Sequence, residues 1–154
     1  ASACSRFFSS SMVIPKNSRY PQISSRISES FSPTPAVKTI LSSHDFKNTP
    51  PENEIISRLC RMQQLGADIT KIAVMPQCKK DVLILLSATE QMQSKYADRP
   101  FVTMSMGAVG SISRIVGEIF GSAITFGAGN KSSAPGQIES TVLKQVLQTI
   151  HNIM

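Results

Sequence analysis

The chain has no tryptophan, two tyrosines and three cysteines in 154 residues, and none of its apolar runs is long. Each scarcity removes a class of function. Cys4, Cys60 and Cys78 are odd in number and lack C-x-x-C spacing, so neither a disulfide framework nor a zinc site is indicated. Reduced structural thiols in a reducing compartment are the plainer reading. No stretch approaches the ~18 apolar residues that span a bilayer, so no membrane partner is expected. The formal charge is +6, but the basic residues are scattered and Lys79-Lys80 is their densest pair. A nucleic-acid groove needs clustered cations interleaved with aromatics, so no nucleic-acid partner is expected either.

What is present divides near Pro35. Residues 1–35 hold eleven serines, the cations Arg6, Lys16, Arg19 and Arg26, and a single acid, Glu29. Pro15, Pro21, Pro33 and Pro35 interrupt any periodicity. Such Ser/Arg-rich, acid-poor segments resemble organelle transit peptides. A disordered leader, or a mis-joined stretch, is the alternative. In either case residues 1–35 are expected to be disordered, with too little apolar area to offset ordering entropy.

Residues 36–154 are regular. AVKTILSS (36–43) reads as a strand, and Thr49 with Glu52 has capping-box spacing before a helix entered through Pro50-Pro51. Ile55, Ile56, Leu59, Met62 and Leu65 form its apolar face, and Gly66 is a natural stop. Lys71 leads into a short strand, IAVM (72–75), and a helix follows over about 80–96. FVTMSM (101–106) is a strand, 111–120 a helix, SAITFG (122–127) a fourth strand, and about 139–151 a last helix behind the loop GAGNKSSAPGQ. Apolar strands alternating with helices predict parallel βα units. Four units make half of a (β/α)8 barrel, although an open doubly wound sheet has the same periodicity.

In such folds chemistry gathers where strands run into loops. His44 follows the first strand, Arg114 enters the third helix, and Ser133 and Gln137 sit in the last loop. Each has an ordinary explanation. His44-Asp45 can cap a loop, Arg114 can pair with Glu118 on a helix surface, and Ser133 to Gly136 is common turn chemistry. Lys71 either snorkels to solvent or points inward, where desolvation and neighbouring cations would make its amine a nucleophile toward a carbonyl. His151 reads as incidental.

SSHDFKNTP, LGADITKIAVMPQ, FVTMSMGAVGSISRIVGEIFGSAITFG and KSSAPGQI, in that order, resemble the second half of type I 3-dehydroquinate dehydratases from about Val37 to Asn152. The resemblance implies a TIM-barrel α/β fold and conversion of 3-dehydroquinate to 3-dehydroshikimate through a lysine Schiff base, on the shikimate route to chorismate. Lys71 matches the Schiff-base lysine and His44 the general base of the S-x-H-[DN]-[FY] motif. Arg114 matches the residue holding the substrate carboxylate, Ser133 and Gln137 the loop groups on substrate oxygens, and Met104 and Met106 pocket-lining residues. The resemblance implies no metal or organic cofactor, a homodimer in the full-length family, and a cytoplasmic enzyme unless residues 1–35 direct organelle import. The family's earlier strands, with the acid that orients the histidine (T-F-R-x-x-x-E-G-G) and an E-[FW]-R motif, have no match in residues 1–35. The alternative is therefore a catalytically inactive fragment of that enzyme.

Overall fold

A computed structural model describes residues 10–13, 38–129 and 134–153, the first of these through the backbone alone. The elements, in order, are β1 (Ser10–Val13), β2 (Ile40–His44), α1 (Glu52–Gln64), β3 (Ile69–Val74) and α2 (Lys79–Gln91), which runs into a π-helical turn, Met92–Tyr96. Then come β4 (Phe101–Ser105), the short helices α3 (Gly107–Gly110) and α4 (Ile112–Val116), β5 (Thr125–Ala128) and α5 (Ser140–His151).

β2, β3 and β4 form a parallel sheet in that order, with Ser42 opposite Lys71 and Lys71 opposite Val102. Successive side chains on a strand alternate between faces, so in-register neighbours share one. Thr70, Ile72 and Val74 with Phe101, Thr103 and Ser105 therefore face one way. Ile72, Val74 and Phe101 pack there with Ile55, Ile56 and Leu59 of α1 and Leu85, Ala88 and Met92 from the second helical segment. Thr89 and Thr103, buried in the same layer, share a 2.7 Å hydroxyl contact. The opposite face holds Ala73, Val102 and Met104, covered by Met106, Ala123 and Ile124.

Several expectations change. The sequence pattern places a fourth strand at 122–127, parallel to the others. Residues 122–124 do run beside β4, where the Ala123 N–H donates to the Phe101 carbonyl at 2.8 Å. The Ser122 hydroxyl, however, accepts the Thr103 N–H at 3.1 Å, a place a ladder carbonyl would take. β5 starts only at Thr125 and pairs antiparallel with β1 instead. That β1 strand falls in the Ser/Arg-rich segment, where the composition gave no strand. The third helix is two short pieces rather than one run. Thr49 makes no capping box, because Pro51 occupies the cap position and the buried Thr49 hydroxyl has no partner among the described residues. Gly66 does end α1 in the left-handed region, at φ 82°.

At the N-terminal end of the sheet, Asp68 accepts from the Thr39 N–H at 2.9 Å, the Thr39 hydroxyl at 3.1 Å and the Lys38 ammonium at 3.1 Å. These bonds tie the start of β2 to the start of β3 and fix their register. Among the described residues no helix is long and apolar enough to cross a membrane.

Candidate active site

β3 begins at Ile69, three residues before the expected start at Ile72, so Lys71 lies within the ladder rather than at its edge. Its neighbours on that face are Ser42 of β2 and Val102 of β4. Lys71 does not snorkel out. Its ammonium sits 4.5 Å from the centroid of the Phe126 ring, a cation–π contact. Partial burial lowers its pKa from the ordinary lysine value, and the nearby Arg114 charge lowers it further.

Arg114 is 2 % exposed, so the surface pairing with Glu118 is corrected. The side chain turns from α4 toward β4 and β5. Its Nη1 donates to the Phe126 carbonyl at 3.1 Å and lies 3.8 Å from the Met104 sulfur. Its Nε and Nη2 are buried with no hydrogen-bond partner among the described residues. A guanidinium missing two of its bonds is poorly satisfied in the protein alone. Two donors on one planar fork suit a carboxylate. Glu118 pairs with His151 of α5 at 2.6 Å, both nearly buried, so the histidine read as incidental ties the last helix to the turn after α4.

His44 ends β2 in register with Ala73, on the same sheet face as Lys71. Its ring reaches solvent and stacks on Phe46, centroids 5.7 Å apart. Partial desolvation, and secondly the Lys71 charge, lower its pKa. The loop beyond is held firmly. Asp45 Oδ1 accepts the N–H groups of Lys47 and Asn48, the Asp45 N–H donates to the Ala73 carbonyl, and Met75 N–H donates to that of Asn48.

Lys71, Arg114 and His44 thus converge at one sheet face, with Met104 and Met106 buried beside them. Gln137 lies in the loop before α5, where its Oε1 accepts the Ala134 N–H at 3.3 Å. Ser133 lies outside the described residues. No group of three or more His, Cys, Asp or Glu that could hold a metal occurs among the described residues. Phe126 was not singled out from the sequence. Its ring and its carbonyl serve Lys71 and Arg114 separately, and nothing in SAITFG marks a partner for a lysine 55 positions earlier.

The chemistry available is that of an amine biased toward its neutral, nucleophilic form, a nearby imidazole biased the same way, and a buried cation with free donors. A carbonyl compound bearing a carboxylate would meet all three. Comparison with known proteins bears on which one. A family model, type I 3-dehydroquinase, matches residues 18–154, starting inside the segment that composition set apart. The 3-dehydroquinate dehydratase of Clostridium novyi is 60% identical over 118 residues, 77% of this chain and 47% of that protein. That of Clostridioides difficile is 63% identical over 115 residues, 75% of this chain and 45% of that protein. Among solved structures, the type I enzyme of Clostridium difficile with covalently modified comenic acid superposes with a TM-score of 0.74 at 61% identity, covering 77% of this chain and 46% of that one. The enzyme from Geobacillus kaustophilus gives 0.73 at 42% identity, over 75% and 45%. The chain spans about half the length of the curated relatives it matches.

Proposed function

Because the chain belongs to the type I 3-dehydroquinase family, we propose that it contributes the Schiff-base half of a 3-dehydroquinate dehydratase site. Its βα units form part of that family's (β/α)8 barrel. The observation that supports the reading best is Lys71, held half-buried over Phe126 with Arg114 alongside, on the face that His44 shares.

In this reading the neutral Lys71 amine adds to the ketone of 3-dehydroquinate and water leaves, giving an iminium. The iminium withdraws electrons from the adjacent carbon, so its C–H becomes acidic enough for a modest base. His44 takes the C2 proton and returns a proton to the departing C1 hydroxyl, a syn elimination of water. One group acting first as base and then as acid needs a pKa close to the working pH, which suits imidazole. Hydrolysis of the imine frees 3-dehydroshikimate and restores the amine, so the net change is loss of one water. No organic cofactor or metal enters these steps.

Arg114 holds the substrate carboxylate through the two donors it leaves unused. Gln137 and Ser133 bind substrate oxygens, and Met104 and Met106 line the pocket. The covalent modification reported for the C. difficile relative is in keeping with a site that bonds to its ligand. The same reading makes the full-length protein a cytoplasmic homodimer on the route to chorismate and aromatic amino acids. If residues 1–35 serve as a transit-like segment, the destination is an organelle instead. N-terminal sequencing of protein recovered from cells tests that segment.

The direct test is intact mass after incubation with 3-dehydroquinate and sodium borohydride, which reduces an imine to a stable amine. The expected result is an adduct that disappears in Lys71→Ala. A folded chain that gains no mass would overturn the reading for this polypeptide.

A further inference from the structure

We propose that Gly136 is a positioning residue, whose missing side chain lets the loop before α5 seat directly on the backbone at the end of β4 and so fixes Gln137. The inference rests on the reading of the site just given. It concerns what holds Gln137, not what Gln137 binds.

The segment is attached at two backbone points. At its neck the Ala128 N–H donates to the Ile138 carbonyl at 2.7 Å. Further along, the Gly107 N–H donates to the Pro135 carbonyl at 3.1 Å. Gln137 lies between these anchors, one residue from Ile138 and two from Pro135. Gly107 is itself anchored, because the preceding Met106 donates its N–H to the Val74 carbonyl at 2.8 Å. A continuous path of backbone contacts therefore runs from the end of β3, through Met106 and Gly107, to Pro135 and Gln137.

Gly136 makes the second anchor feasible. Its φ is 72°, in the region that glycine adopts without steric cost. A Cβ there would also stand 2.0 Å from the Gly107 carbonyl oxygen and 2.4 Å from its carbon. Both are main-chain atoms and cannot rotate aside. Gly107 is held from the β3 side by the Met106 N–H on the Val74 carbonyl, so making room there would strain that bond. Any side chain at 136 must lift the segment by about 1 Å, and displacements of that size cost up to about a hundredfold when they misplace a substrate contact. Lys71 rests on the Phe126 ring and Arg114 bonds to the Phe126 carbonyl, on β5 and α4 rather than on this segment, so its imine chemistry should survive the displacement.

The test compares Gly136→Ala with Gly66→Ala and Gln137→Ala in the full chain. Gly66 also has positive φ, but nothing lies within 4 Å of its Cβ position, so it reports backbone strain without a clash. The first readout is hydrogen exchange at the Gly107 amide, which needs no activity. Its protection should fall at least about tenfold in Gly136→Ala and stay unchanged in the other two. The second readout is the concentration of 3-dehydroquinate that half-saturates borohydride trapping. It should rise about tenfold or more in Gly136→Ala and Gln137→Ala, with the yield at saturation kept. The double variant should be no worse than Gln137→Ala alone, since Gly136 acts through it. Unchanged Gly107 exchange overturns the proposal, as does a loss of trapping yield without a change in half-saturation. Absence of any adduct in the unsubstituted chain refutes the reading of the site instead, while the exchange result still decides whether the seat exists.

Discussion

The two faces of the β2–β3–β4 sheet are made by alternate residues of the same strands, yet they differ in almost every physical respect. One is closed. Ile72, Val74 and Phe101 are fully buried against α1 and α2, and the hydroxyls of Thr89 and Thr103 pair, although those of Thr70 and Ser105 are buried with no partner among the described residues. The other is covered only in part, by Met106, Ala123 and Ile124. It holds Lys71, a buried Arg114 with two nitrogens unpaired among the described residues, and a histidine whose ring reaches solvent. The difference teaches that a two-residue period lets one strand serve stability and chemistry without compromise. Lys71 and Ile72 are adjacent in sequence and belong to different faces.

That division can be broken by experiment. Phe101→Ala attacks the closed face and should cost about 3–5 kcal/mol, read as a lower urea midpoint. A loss below about 1 kcal/mol would mean that the helical layer is not the source of stability. Arg114→Gln attacks the open face. It should weaken 3-dehydroquinate in the trapping assay by about 1.5–3 kcal/mol, the range of a charge-assisted bond. It should also move the pH midpoint of trapping upward, because removing a neighbouring cation relaxes the downward shift of Lys71. A midpoint that stays or falls would remove Arg114 from the electrostatics of the amine.

Lys71→Met should abolish the adduct and yet stabilise the fold, by on the order of 1 kcal/mol or a few degrees of Tm. The sign follows from the lowered pKa. Folding disfavours the charged form, so the native state is penalised below the lowered pKa. The penalty fades as pH rises from that value to the ordinary one for lysine. The gain in Lys71→Met should accordingly be largest at low pH and vanish in strong alkali. A destabilised variant would show that the aliphatic stem of Lys71, rather than its charge, decides the balance. The smallest effect is Ser42→Ala, next to Lys71 on the exposed edge strand, which should stay within about 0.5 kcal/mol by thermal melting.

How much of this the sequence disclosed follows the same division. The closed face was readable because its signal is periodic: Ile55, Ile56, Leu59 and Met62 repeat at helical spacing and are buried, whereas Leu65, expected on the same face, is the C-cap and lies 61 % exposed. Phe126 was hidden because it acts across 55 positions, and a strand aromatic looks the same whether it fills a core or underlies an ammonium. The direction of Lys71 turned on where β3 begins, a boundary of three residues that propensity does not resolve. The surface pairing of Arg114 with Glu118, one alternative the spacing allows, assumes an ideal helix. The chain breaks that helix after Val116, and Glu118 turns to His151. The pairing of β5 with β1 depends on residues whose composition gave no strand signal.

The Phe126 ring also has a consequence for spectroscopy. A proton above an aromatic face lies in the ring's shielding cone and resonates upfield. With the ammonium nitrogen of Lys71 4.5 Å from the ring centroid, its ε-methylene protons should carry such a shift. Any ligand that draws the amine off the ring should return them downfield. The chain thus contains its own magnetic reporter of site occupancy, needing no label and no turnover.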